Sequence, residues 1–189
     1  SFGFAAHAVF PADLKNITTN LYLSNISNKD FRINSINLLC EYAGDEKIYI
    51  KTLRNAFPFT AEAAADMKKK EITFSFSCKN LMPFQLVYFS GRAKELRKLL
   101  GLSADLDLSG SYLIDTKKIS YASGGKFNFP HQFISGGLTA SYSVSGDNEG
   151  FSVPFLDLNG RDYDVSYSGE YSVKNSNLSG SAQIRKIRL

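Results

Sequence analysis

The stretch ITFSFSC, Ile72 to Cys78, decides the fold. Ile72, Phe74, Phe76 and Cys78 are apolar, and Thr73, Ser75 and Ser77 lie between them. Successive side chains of a strand point to opposite sides, so this alternation gives a strand with one greasy and one polar face. β-branched and aromatic residues suit such a pleated surface.

The same period extends in both directions. Toward the N-terminus it takes in Phe2 to Phe10, Ile17 to Leu23, Ile36 to Tyr42, Ile48 with Ile50, and Phe57 to Ala65. Toward the C-terminus, Leu106, Leu108, Tyr112 and Ile114 alternate with Asp105, Asp107, Ser109 and Ser111. Further runs are Ile119 with Tyr121, Phe127 with Phe129, and Leu138, Ala140, Tyr142 and Val144. Phe151, Val153 and Phe155 follow, then Val165, Tyr167, Tyr171 and Val173, then Leu178, Ala182 and Ile184. Turn residues separate the runs at Gly44-Asp45, Asp115-Thr116, Gly146-Asp147-Asn148, Asn159-Gly160 and Asn175-Ser176-Asn177. The expectation is an all-β chain of long antiparallel or mixed strands, about ten residues or 33 Å each. It forms one domain over 1–189, and strand patterns run into both termini as in a piece of a longer chain.

One stretch departs from the period. In GRAKELRKLLG, Gly91 to Gly101, Ala93, Leu96, Leu99 and Leu100 share a helical face and Gly101 suits the C-terminal cap. A short amphipathic helix, docked on an edge or end of the sheet, is predicted there. A second irregularity is a repeated glycine. Ser109-Gly110-Ser111-Tyr112, Ser168-Gly169-Glu170-Tyr171 and Ser179-Gly180-Ser181-Ala182 each place Gly on the apolar face. Repeated there, glycine predicts a sheet curved around that face.

Composition restricts function. Hydrophobic residues make up 43% of the 189, enough for a core, and the net charge of +4 is spread too thinly for nucleic acid. The longest apolar run, Leu86 to Phe89, is far from the roughly 20 residues of a spanning helix. His7 and His131 have no partners in sequence, and neither Cys-x-x-Cys nor His-x-x-x-His occurs. Gly124-Gly125-Lys126 is followed by Phe127 where a phosphate loop needs Ser or Thr. Asp105 and Asp107 read as solvated charge on an outward face, and Lys68-Lys69-Lys70 as a solubilising turn. Arg185, Lys186 and Arg188 read as a charged strand edge or as a contact for anionic headgroups. Three Asn-x-Ser/Thr triplets, at Asn16, Asn25 and Asn177, read as chance matches in a chain rich in Asn and Ser. Cys40 and Cys78 are expected as buried free thiols; a bridge would require the sheet to fold over on itself. No enzyme, metal or cofactor is expected.

From Met82 to Pro130 an apolar strand, the insert MPFQLVYFSGRAKELRKLLGL and then SADLDLSGSYLIDTKKISYASGGKFNFP follow one another. With VSYSGEYSVKNSNLSGSAQIRKIRL at the C-terminus, this order resembles the AsmA-like repeats of the TamB family, the inner-membrane proteins of the translocation and assembly module. The resemblance is one of texture over most of the chain, shared with lipopolysaccharide-transport proteins and secretion-system protein N. It implies a long taco-shaped sheet with an apolar groove, in the periplasm, belonging to a protein anchored in the inner membrane. It also implies transport of phospholipid between the membranes, assembly of outer-membrane proteins with a barrel-assembly partner, and no catalytic residues.

On this reading, phospholipid acyl chains are the partner. The groove is lined by Ile72, Phe74, Phe76, Leu106, Leu108, Tyr112, Leu138, Tyr142, Val144, Val153, Phe155, Val165, Tyr167 and Tyr171. The competing expectation is a closed β-sandwich binding or adhesion module, its apolar face a self-filled core and its function in loops such as Gly146 to Gly150. A third is a piece of a membrane barrel with its apolar side chains outward.

Overall fold

A computed structural model of the chain describes residues 3–9, 16–27, 32–44, 46–53, 59–82 and 99–188. Its strands are β1 (Gly3–Val9), β2 (Asn16–Ser27), β3 (Arg32–Ala43), β4 (Lys47–Thr52), β5 (Phe59–Asp66) and β6 (Glu71–Leu81). They continue as β7 (Ser103–Leu113), β8 (Lys118–Phe129), β9 (Leu138–Asp147), β10 (Gly150–Gly160), β11 (Tyr163–Ser172) and β12 (Asn177–Ile187). All belong to one sheet whose spatial order is the chain order. Every neighbouring pair is antiparallel. β1 and β12 each have a single neighbour, so the sheet is not closed into a barrel. An open sheet of this kind is compatible with the expected curvature. The extensive contacts all join sequence neighbours, so among the described residues no second sheet covers the first.

Register carries the alternation from strand to strand. Ala61, Ala63 and Ala65 stand opposite Phe76, Phe74 and Ile72. Ile72, Phe76 and Cys78 in turn stand opposite Tyr112, Leu108 and Leu106. A slip of one residue would turn every one of these side chains to the other face, so a one-sided pattern of this length fixes the pairing.

Hairpins at one end of the sheet are tight. The loops Met67–Lys70, 114–117 and 173–176 each close with a residue in the left-handed region: Lys70 (φ 51°), Lys117 (φ 53°) and Ser176 (φ 48°). A type I turn followed by such a residue matches the twist of the flanking strands. Asp side chains support these turns. The Asp66 carboxylate accepts from Lys69 N (3.0 Å), and that of Asp147 accepts from Glu149 N (2.7 Å) and Gly150 N (3.2 Å). Adjacent turns are tied together where Lys70 Nζ donates to Asp115 Oδ2 at 2.9 Å.

One expected turn and the helix need comment. Asn159-Gly160 lies inside β10, which reverses instead at Arg161-Asp162. Most of the expected helix, residues 91–98, lies outside the described residues; Leu99 to Gly101 form a turn, and Gly101 has a φ of 91°.

Candidate functional site

The apolar face runs across the sheet as a continuous surface. Within β6–β12 it carries the expected Ile72, Phe74, Phe76, Leu106, Leu108, Tyr112, Leu138, Tyr142, Val144, Val153, Val165, Tyr167 and Tyr171, joined side to side by the registers. Within β6–β12 it contains no Asp, Glu, Lys or Arg; there Ser123 is its one polar side chain apart from the tyrosine hydroxyls, and its Oγ lies 3.1 Å from the Tyr142 hydroxyl.

Phe155 was expected on this face and is not there. Between Val153 and Leu156, β10 advances three residues while β11 advances two, from Gly169 to Tyr167. The extra residue is Pro154. Proline cannot donate to the ladder, and inside a sheet it is found at edges and bulges. The bulge reverses the parity, so Phe155 pairs with Ser143 on the polar side, 42% exposed, and Leu156 pairs with Tyr142 on the apolar side. Leu156 and Leu158 therefore replace Phe155 in the apolar surface. Pro154 is the sequence signal that reveals this: without it, Phe151, Val153, Leu156 and Leu158 would alternate without a break.

The glycines act by making room for rings. A Cβ on Gly110 would lie 2.5 Å from Phe74 Cζ, and one on Gly125 would lie 2.7 Å from Tyr142 Cε1. At Gly146 it would meet the Tyr121 hydroxyl at 2.8 Å, and at Gly180 the same group of Tyr167 at 2.9 Å. Phe74, Tyr121 and Tyr142 stand directly opposite the glycine they cover. A ring laid over a bare glycine recovers packing that the missing side chain would have supplied. The open sheet stays compatible with the expected curvature, and the covering rings add a second role for these glycines. Rings also pair with rings: Phe59 with Phe76 (5.4 Å between centroids), Phe127 with Tyr142 (6.0 Å) and Phe151 with Tyr171 (5.5 Å).

Among the described residues nothing covers this face. Among the described residues Cys78, 1% exposed, is the single buried hydrophobic side chain, whereas Leu178 and Ile184 on β12 are 65% and 63% exposed. The chain exposes 12533 Å² in all; a compact monomer of its mass exposes about 9,000 Å². Toward the end of the sheet away from the tight turns, Leu81, Leu102, Ala104, Leu106, Phe127 and Phe129 line a depression of about 250 Å³ with almost no polar surface.

The opposite face is rich in serine and carries the charge. Asp107 accepts from Ser77 Oγ (2.5 Å) and Lys79 Nζ (3.1 Å), and Asp105 accepts from Asn80 N (2.6 Å). The hydrogen bond from Ser77, then that from Lys79, holds the Asp107 carboxyl below its ordinary pKa; bonding to Asp107 raises that of Lys79. Asp105 and Asp107 are thus on the solvated face, as expected. Cys40 and Cys78 are both free thiols. The row through Cys40 passes Ile50 and Ala63 to reach Phe74, four residues along β6 from Cys78. Loss of hydration raises the pKa of each thiol.

Among the described residues no group of His, Cys, Asp and Glu is placed to hold a metal ion, and no helix is long and apolar enough to cross a membrane. The chain matches no protein-family model, no curated protein and no solved structure.

Proposed function

We propose that this chain is a non-catalytic, bridge-like scaffold of the periplasm, related to TamB, whose apolar face conducts phospholipid acyl chains between the inner and outer membranes. On the same reading it belongs to a protein anchored in the inner membrane and supports outer-membrane protein assembly with a barrel-assembly partner. One observation carries the proposal: a charge-free apolar surface crosses β6–β12, and no second layer lies on it among the described residues. Apolar patches beyond a few hundred Å² rarely stay bare on a soluble protein. Acyl chains meet that need at about 0.8 kcal/mol per buried methylene. Without hydrogen-bonding groups to fix one position, a chain is free to slide along the surface, which suits a conduit better than a store.

The test is native mass spectrometry of gently purified protein, together with a photo-crosslinking residue at Phe76 or Tyr142. Co-purifying phospholipid and acyl adducts at these positions, but not at Ser75 or Ser143 on the other face, are expected. Lipid-free protein with no acyl adduct at Phe76 or Tyr142 would refute the conduit.

A further inference from the structure

The geometry points to a second copy of this chain as the occupant of the apolar face when no lipid is present: two sheets packed face to face as a symmetric sandwich. This inference rests on the bareness of the face among the described residues and not on the lipid reading above.

Three features carry it. The first is charge. In a two-fold face-to-face dimer the same face is used by both copies, so a charge on it would be buried against apolar side chains of the mate or, near the axis, set against its own copy. All the Asp, Glu, Lys and Arg side chains of β6–β12 that follow the sheet's alternation fall on the other face, as Asp105, Asp107, Lys126 and Glu170 do. The chain's net charge of +4 therefore does not oppose the contact directly.

The second is area. Seven strands spaced about 4.8 Å apart and about 33 Å long present about 1,100 Å² of face, so β6–β12 alone from two copies would remove about 2,200 Å² from water. Specific interfaces clear about 1,000 Å² and permanent homodimers run from about 2,000 Å² upward. Half of the sheet is thus enough, even if twist keeps the rest apart.

The third is relief. Aligned sheets pack about 10 Å apart at about 30° when their inner side chains interdigitate. Here the rings of Phe74, Tyr121, Tyr142 and Tyr167 lie over glycines, which leaves a low surface with ridges and furrows. Leu108, Phe151 and Leu156 lie within the face and are all more than a third exposed, so the bare area is not confined to the edge strand.

Sedimentation velocity on delipidated protein in detergent-free buffer tests this. Twice the 20.9 kDa of one chain is expected, falling to one chain when nonionic detergent micelles are added. Leu108→Lys and Tyr142→Lys should give monomers with an unchanged far-ultraviolet strand spectrum, while Ser109→Lys and Ser143→Lys, one residue away on the polar face, should stay dimeric. If the two apolar-face variants do not fold, a photo-crosslinker decides: it should join two chains from position 108 and not from position 109. A monomer in detergent-free buffer overturns the inference. So does a dimer that resists both apolar-face variants but is lost in Gly180→Pro, since that result assigns the contact to the β12 edge. A dimer that never takes up phospholipid leaves the inference standing and removes the conduit; a lipid-binding chain that remains monomeric when stripped does the reverse.

Discussion

The two neighbours of β6 solve the same packing problem differently. On one side β5 offers Ala61 and Ala63 to Phe76 and Phe74; on the other β7 offers Leu108 and Gly110. Phe74 therefore stands between an alanine and a glycine, and its ring lies over the glycine. A single methyl group separates the two sites, and it decides which way the aromatic leans. In β4 and β5 the apolar face is built from Ile48, Ile50 and alanines, small against large. From β6 onward rings and glycines join the aliphatic side chains. The first arrangement tolerates change one atom at a time, whereas in the second Gly110, Gly125, Gly146 and Gly180 are each matched to a ring.

The largest expected effect breaks that matching. Gly110→Ala places a Cβ 2.4 Å from the carbonyl oxygen of Ser120 as well as 2.5 Å from the Phe74 ring. The ring can move and the neighbouring backbone cannot easily follow, so a loss of about 1–3 kcal/mol is expected in urea unfolding. Adding Phe74→Leu should recover only the part due to the ring. The contrast is Gly124→Ala on the polar face, where the nearest atom would be an ordinary 3.5 Å away. There the reduced freedom of the unfolded chain should dominate, giving no loss or a gain of about 0.4–1 kcal/mol. Equal destabilisation by both substitutions would show that the rings have no part in the glycine requirement.

Next in size is the parity change in β10. Deleting Pro154 removes the extra residue while leaving Phe151, Val153, Leu156 and Leu158 on one face, so the deletion variant should fold with its strand spectrum intact. A change in unfolding free energy below about 1.5 kcal/mol is expected, since the removed residue is exposed. Replacing Phe155 by lysine should likewise be mild, while Leu156→Lys should be severe; the opposite ranking would mean that the strand keeps its parity through Pro154. Thiol chemistry should separate the two cysteines more gently. Cys78 is 1% exposed and Cys40 is only half-buried, so Cys40 should react first with a thiol reagent, and Cys78 should wait for local opening.

The smallest effect belongs to the solvated face. Asp107 has its pKa lowered by Ser77 and Lys79. Its folded value lies below the unfolded one, so its contribution is present above the ordinary Asp pKa of about 3.9 and is lost as the pH falls through the folded value. The group is fully exposed, and Asp107→Asn should change stability at neutral pH only slightly, with the difference from the parent protein fading in acid.

These contrasts also show what the sequence could reveal. The period-two pattern from Ile72 to Cys78 and from Leu106 to Ile114 was readable because each strand is half apolar and pairs with its sequence neighbour. Thirteen of the fourteen residues expected in the groove share the apolar face for that reason. Phe155 was placed on the wrong face because alternation counts residues and a bulge adds one; Pro154 carries the signal for that bulge. The role of the glycines was hidden for a different reason. Whether an empty position means a bend or a seat for a ring depends on what stands opposite, and Phe74 and Gly110 are 36 residues apart in the chain.

The neighbour-only order of the strands has a further consequence, in how the molecule would come apart. Among the described residues each inner strand is paired with the two beside it in the chain, and β1 and β12 with one, which makes the sheet a linear array of coupled hairpins. Pairings so local close at small entropic cost, so assembly can start at any well-matched hairpin and spread outward. Loosening should likewise travel inward from the ends, strand by strand, and damage in β10 should leave β6 and its partners standing. Hydrogen exchange along the chain would then show a gradient of protection from the margins to the middle, where a layered protein shows one cooperative step.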